Sequence, residues 1–511
     1  MNILFITADQ WRGECLSAVG HPVVKTPHLD ALAKEGTVFR QHYAQTTPCA
    51  PSRTSIHTGM YMHNHRCVSN GTPVDSRLNN WALEVGKAGY APSLFGYTDT
   101  ARDPREMDEN DPRLTHYSEP LPGFDSYTAY KSEVSVDWVD SLVAKGYPIP
   151  DKLWNLYGDT VEGIEWEDGG DAPLPLAIKA GDHETHYMVD RCINWIKGQH
   201  KPWITHLSLL RPHPPFVAPE PYNRQYDPET LTVPERSNTA EQEAGQHPFL
   251  DYCLRQAKMR APESNRVLQR MLSSYYGLMS EVDDNLGRLF ELLKSSGQWD
   301  STLIIFTSDH GEQLGDHWLS GKLGYFDQSY YIPLIIRDPR PAANPSRAKQ
   351  FDAFTENVDL MPTMLDWLQL DIPAQCDGQS LLPMMHSGEV PESWRREAHW
   401  EFDFRCLYDA PTKAGFDFSV HQASLSVIRD QQFKYVHFTA LPPLLFDMQK
   451  DPGEFVNLAD NPDYQSLLLK YAQKMLSLKM NHAERGLTEI MLGEGGAVTR
   501  RAPLRKLASG V

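Results

Sequence analysis

The sequence predicts an α/β fold in which a large, mostly parallel sheet is sandwiched by helices. Three observations predict it. Apolar runs that end in polar residues recur along the chain: NILFITADQ (2–10), APSLFGYTD (91–99), PWITHLSLLRPH (202–213), STLIIFTSDH (301–310) and IPLIIRD (332–338). Helical periodicity separates them, in TPHLDALAKEG (26–36) and in the long segment from Ser264 to Gln298. The runs are nearly continuous in apolar residues, as strands are when helices cover both faces of their sheet.

The run at 2–10 ends in Asp9 and Gln10, with no basic leader and no small-residue cleavage site, so it reads as a core strand of an unexported, cytoplasmic protein. Sheets of this kind take ligands at the carboxyl ends of their strands, where Asp9, Tyr97, His213, Asp309 and His310 would lie. Between 264 and 298, Val267, Leu268, Met271, Leu272, Tyr275, Leu278, Met279, Val282, Leu286, Leu289 and Leu293 recur at three and four, which makes one broad apolar face. Residues 100–185 and 217–262, rich in Pro, Asp, Glu and aromatics, read as long excursions over the sheet edge. Past about residue 390 the pattern changes to short strands, SLSVIRD (424–430) and FKYVHF (433–438), a helix near 462–480 and a loose basic tail, TRRAPLRKLASGV. The expected organisation is therefore a catalytic part, 1–390, and a smaller α+β part, 391–511.

The totals exclude several classes. No run approaches the roughly 20 apolar residues that span a bilayer. Forty-eight basic against 67 acidic residues give a formal charge of -19, whose field repels nucleic acid and anionic membranes. An anionic substrate must then be attracted locally, by a metal or a few placed cations. Cysteines 15, 49, 67, 192, 253, 376 and 406 are odd in number, scattered and free of CxxC pairs. That argues against a disulfide framework or zinc knuckle and for a reducing compartment.

Cys49 stands in TTPCAPSRTSIHTG (46–59), between Pro48 and Pro51, where a helix opens. A group held there faces free N–H donors and the positive end of the helix dipole, which favour an anion, and Arg53 adds a fixed cation. The plain alternative is a small apolar residue packed under a loop. A thiolate nucleophile would want a histidine base and an acyl substrate.

The run Cys-Ala-Pro-Ser-Arg is similar to the CxPxR signature of the type I sulfatases, in which the cysteine is oxidised after translation to the aldehyde formylglycine. MNILFITADQW, TPHLDALAKEG, SDHGEQLGDH and LLFDMQKDPGEFVNLA resemble further segments of that family, so the likeness spans nearly the whole chain. NHRCVSNGTP, LFGYTDTARDPR, LRPHPPF, TLIIFTSDHGEQLGDH and HWEFDFR resemble the phosphonate monoester hydrolases and their close sulfatase relatives, within the alkaline phosphatase superfamily. The resemblance implies an alkaline-phosphatase-like fold and one divalent metal ion held by Asp9, Asp309, His310 and an oxygen of modified Cys49. It places Gln10 beside the metal and Arg53 as a brace for the formylglycine. Lys322 falls near the leaving oxygen, His213 near the transferred group, and Asn70 and Tyr97 as donors to its non-bridging oxygens. Hard carboxylates with one imidazole suit calcium or manganese, with magnesium admitted and zinc less suited.

Two departures bear on the substrate. Many sulfatases carry a lysine and a histidine where this chain has Gly-Tyr-Thr-Asp (96–99), and the phosphonate hydrolases have threonine at the position of Asp99. An ionised Asp99 about 5 Å from the transferred group would repel each substrate charge by roughly 3 kcal/mol at an effective dielectric near 20. Monoanions are therefore expected. Ser52 follows the sulfatase form of the signature, which favours sulfate esters, with phosphonate monoester and phosphodiester hydrolysis as the alternative. A two-metal phosphatase or phosphomutase would need a second Asp and His cluster, and an anion-binding relic would keep Cys49 as a thiol. The implied partners are a formylglycine-generating enzyme and copies of the chain itself, a dimer or tetramer built through the tail.

Overall fold

Strand Asn2–Ala8 is buried at every position and lies inside an eight-stranded sheet. The order across the sheet is Lys349–Glu356, Thr37–Tyr43, Leu334–Arg337, Thr302–Thr307, Asn2–Ala8, Ile204–Leu209, Ser93–Phe95 and Asp125–Ser126. Five of these strands are those the apolar runs mark. All described pairings are parallel except those of Leu334–Arg337, which runs antiparallel to both of its neighbours. The structure is a computed structural model that describes residues 1–511 apart from 116, 118, 129, 132, 161–172, 406–415, 489, 495 and 500–511.

Period-two alternation sends successive side chains to opposite faces, and both faces are covered. Ile3 and Phe5, with Leu303, Ile305, Leu334 and Ile336, pack against Ile56, Trp81 and Leu360 of helices Cys49–Thr58, Trp81–Lys87 and Leu360–Trp367. Leu4 and Ile6, with Leu207, Ile304 and Phe306, pack against Leu29, Val189 and Leu286 of helices Pro27–Glu35, Glu184–Lys197 and Asn265–Ser295. The Ser264 hydroxyl caps the last of these by accepting the Val267 N–H at 3.4 Å. This helix is buried well beyond its apolar stripe. On its polar side Asp283 accepts the N–H groups of His28 and Leu29, and Glu281 bonds His183 at 2.6 Å.

Strands Glu397–Asp403, Ser424–Asp430, Phe433–Phe438 and Leu444–Asp447 form a second, antiparallel sheet. One face carries Tyr471 and Met475 of helix Gln465–Asn481, against Ile428, Tyr435 and Leu445. The other face joins the main body, where Trp400 stacks on Tyr43 and Tyr330 with ring centres 5.4 and 5.0 Å away. The Glu401 N–H also donates to the Gln45 carbonyl.

The segment expected as an excursion over the edge contributes more than loops. Asp125–Ser126 extends the large sheet, and Trp138, Leu142, Tyr157 and Val217 form a small core beside helix Val136–Ala144. The six described cysteines are unpaired and buried; Cys406 lies outside the described residues. So does the basic tail beyond Thr499. No described helix is long and apolar enough to cross a membrane.

Candidate active site

The strand ends converge as the parallel sheet requires. Asp9, Tyr97, His213, and Asp309 with His310 lie just beyond strands Asn2–Ala8, Ser93–Phe95, Ile204–Leu209 and Thr302–Thr307. Gly96 allows two of these ends to close on each other. Its φ is +102°, and a Cβ there would lie 1.9 Å from the Ser208 carbonyl oxygen. Helix Cys49–Thr58, buried at every residue, begins at the cysteine itself. Pro48 gives it no side-chain cap, and Asn70 supplies one from outside by accepting the Ala50 N–H at 3.0 Å.

Arg53 is the hub, and it does something other than brace residue 49. Its guanidinium donates to Asp309 Oδ2 at 2.9 Å, to Asp9 Oδ2 at 2.9 Å, to Ser208 Oγ at 2.7 Å and to the Tyr97 carbonyl at 3.2 Å. It therefore pins the two carboxylates. Tyr97, expected to donate to substrate, instead donates its hydroxyl to Asp9 Oδ2 at 2.7 Å.

With Oδ2 taken up by Arg53 and Tyr97, Asp9 Oδ1 is buried and has no hydrogen-bond partner among the described residues. It faces His310 Nε2 at 3.8 Å. The ring of His310 donates from Nδ1 to the Gly311 carbonyl, which leaves Nε2 with its lone pair, 3.2 Å from Cys49 Sγ and 3.6 Å from Asp309 Oδ2. Donor atoms of Asp9, Cys49, Asp309 and His310 all lie within 4.8 Å of one another. Two carboxylates, one imidazole lone pair and an orphaned oxygen fit one divalent cation.

Lys322 Nζ donates to Cys49 Sγ at 3.2 Å and to Gln10 Oε1 at 2.6 Å. Gln10 stands behind Lys322, with both ends of its amide engaged: Nε2 donates to Glu312 Oε2, and Glu312 Oε1 accepts the Gly321 N–H at 2.6 Å. Sequence reasoning did not single out Glu312, although it lies within SDHGEQLGDH. Ser52 turns away from the cavity and donates to the Asp309 carbonyl at 2.5 Å. The cavity in front of Cys49 is lined by Asp9, Asn70, Tyr97, Asp99 and His213, and on its outer side by Tyr117, Tyr130, Glu133, Trp154 and Leu210, none of which the sequence reading named.

Electrostatics divide these groups. Against the cost of burial, Arg53 and Lys322 hold Asp9 well below the usual carboxylate range, whereas burial and the charge on Asp9 raise Asp309 to about 6. Burial and then Asp9 push the Cys49 thiol well up. Burial and Lys322 lower His213 to about 3, so its ring is neutral. Burial raises Asp99 to about 7, so its charge, and any repulsion it exerts, depends on pH.

Comparison with known proteins is consistent across the chain. A family model described as Sulfatase matches residues 1–370, and one described as N-sulphoglucosamine sulphohydrolase, C-terminal, matches residues 315–481. The chain is 41% identical to the multifunctional alkaline phosphatase superfamily protein PehA of Trinickia caryophylli, over 98% of this chain and 99% of that one. It is 28% identical to an arylsulfatase of Clostridium perfringens, over 96% of each. The crystal structure of the phosphonate monoester hydrolase of Agrobacterium radiobacter superposes with a TM-score of 0.91 at 42% identity, covering 98% of this chain and all of that one.

Proposed function

The chain belongs to the sulfatase family, and from that premise we propose that it hydrolyses monoanionic sulfate and phosphonate esters with a formylglycine made from Cys49. One divalent ion, calcium or manganese, would be held by Asp9, Asp309, His310 and residue 49. The observation that carries this reading is the bare Asp9 Oδ1, set against the His310 lone pair and Cys49.

When bound, the ion supplies positive charge that acidifies a hydroxyl and draws in the anionic group. Hydrated formylglycine supplies two hydroxyls on one carbon, one to accept the transferred group and one to release it. The chain's own residues do the rest. Arg53 fixes both carboxylates, so that the free Oδ1 of Asp9 needs no reorganisation. Lys322, oriented by Gln10, meets the leaving oxygen with a proton or with charge. His213 donates from Nδ1 to the Pro214 carbonyl at 2.7 Å, which turns Nε2 toward the transferred group as a hydrogen-bonding partner. Asn70, with Oδ1 engaged by Ala50, keeps its amide donors for the non-bridging oxygens.

Sulfate and phosphonate esters rank together here. Ser52 and Asp99 were the sequence's reasons for favouring sulfate, and the Ser52 hydroxyl is spent on Asp309 and not on the cavity. The relatives described above include one named for phosphonate monoesters and one for aryl sulfates. Lys322, already shared between Cys49 Sγ and Gln10, offers limited positive charge, which favours monoanions over dianionic phosphate monoesters.

The test is parallel kinetics on aryl sulfate, aryl phosphonate monoester and diester substrates with matured protein, alongside the mass of the peptide carrying residue 49. The expected result is turnover that scales with aldehyde content. Full turnover with a thiol at residue 49, or equal rates on phosphate monoesters and sulfate esters, would sink the proposal. Maturation would require a formylglycine-generating enzyme. Assembly into a homo-oligomer through residues 483–511 would show as a smaller species in gel filtration when they are removed.

A further inference from the structure

Away from the active site, His63, His399 and Glu401 bring metal-capable atoms within 4.8 Å of one another. His63 lies on the short helix Met62–His65, while His399 and Glu401 project from one face of strand Glu397–Asp403. Both rings are oriented from behind. His399 Nδ1 donates to the Val427 carbonyl at 2.8 Å, and His63 Nε2 donates to the His482 carbonyl at 3.2 Å. His399 Nε2 is thereby left as a lone pair, and so is His63 Nδ1 in the tautomer that carries its proton on Nε2.

His399 is 1% exposed, and its Nε2 has no hydrogen-bond partner among the described residues. Glu401 points its oxygens at both rings, Oε2 at 3.1 Å from His63 Nδ1 and Oε1 at 3.9 Å from His399 Nε2. Three acceptors that face one another need a cation. In this structure Lys479 reaches it, with Nζ on Glu401 Oε1 and 3.4 Å from His63 Nδ1.

We propose that His63, His399 and Glu401 form a second metal site, which takes zinc or another borderline d-block ion in exchange for the Lys479 ammonium. Two imidazoles and one carboxylate with a fourth position open suit such an ion, in contrast to the carboxylate-rich cluster at Cys49. The side chains of His63 and Lys479 are 16% and 27% exposed, which gives the ion a route from solvent. Its entry frees the last turn of helix Gln465–Asn481 from the strand that carries Glu401.

The test counts zinc per chain in full-length protein dialysed against zinc chloride, for wild type, His399→Gln, His63→Gln and Lys479→Met. Wild type is expected to hold one more zinc than either histidine variant, and both variants to keep wild-type turnover once their catalytic metal is restored. Lys479→Met is expected to hold that zinc about tenfold more tightly, because the side chain that competes for Glu401 Oε1 has left the site. His63→Gln, at the rim, keeps the test sound if the buried His399→Gln fails to fold. Equal zinc counts in wild type and the folded histidine variants would overturn the proposal, as would unchanged zinc affinity in Lys479→Met.

Discussion

Lys322 stands beside its acceptor cluster, whereas Lys479 stands among the acceptors of its own. At Cys49, Arg53 and Tyr97 occupy Oδ2 of Asp9, and Lys322 is shared between Cys49 Sγ and Gln10 Oε1, so Asp9 Oδ1 stays bare. At Glu401 no arginine pins the carboxylate among its described bonds, and the lysine ammonium sits on it directly. Both sites fix their imidazoles with backbone carbonyls. The difference teaches that a cluster becomes ready for a resident ion when other cations satisfy its periphery, and becomes exchangeable when the only cation is a flexible side chain.

The largest expected effect separates the two lysines. Lys322→Ala should lower kcat by about a hundredfold to ten-thousandfold, as loss of a leaving-group acid does, while Lys479→Met leaves kcat unchanged. Similar losses in both would erase the contrast. Next, Arg53→Met strands two buried carboxylates and should lower stability by about 3–5 kcal/mol, recovered in part by added divalent ion; thermal unfolding with and without that ion measures it. Glu401→Gln should cost less, about 1–3 kcal/mol, because its partner lysine can reach water.

Glu312→Gln sharpens the account of how Lys322 is held. It loosens both Gln10 and Gly321, and kcat should fall about tenfold with KM unchanged. A KM effect alone would place Glu312 outside the positioning of Lys322. A pH-dependent effect concerns Asp99. Its carboxyl is neutral below about 7 and charged above, and a sulfate ester keeps one charge throughout. Wild-type kcat/KM on a sulfate ester should therefore fall relative to Asp99→Asn as pH rises through 7. The ratio is capped near a hundredfold by the roughly 3 kcal/mol of close charge repulsion. A ratio flat in pH would show that Asp99 does not face the transferred group.

Much of this was legible in residues that are close in sequence or sit at the ends of apolar runs. Asp9, Asp309 and His310 end strands whose hydrophobic runs are unmistakable, and Cys49 and Arg53 share one helical turn, so their convergence follows from a parallel sheet. Strands Thr37–Tyr43 and Lys349–Glu356 escaped because Arg40, Lys349, Gln350 and Asp352 interrupt their apolar pattern near the sheet edge. The antiparallel course of Leu334–Arg337 has no mark in its composition. The bonds that Arg53 and Tyr97 make to Asp9 and Asp309 were not legible, because side-chain bonding depends on tertiary distances that no motif encodes. The cluster at His63 joins residues 338 apart in the chain, and only folding brings them together.

Cys49 is 4% exposed, at the head of a helix with no exposed residue. A small ester can reach its side chain through the cavity, but the finished fold offers another protein no stretch of backbone to grip there. On the proposed reading, an enzyme that alters residue 49 would have to do so before the chain closes over it. The order of maturation and folding would then set the active fraction of a preparation, and a molecule that folds too soon would keep its thiol.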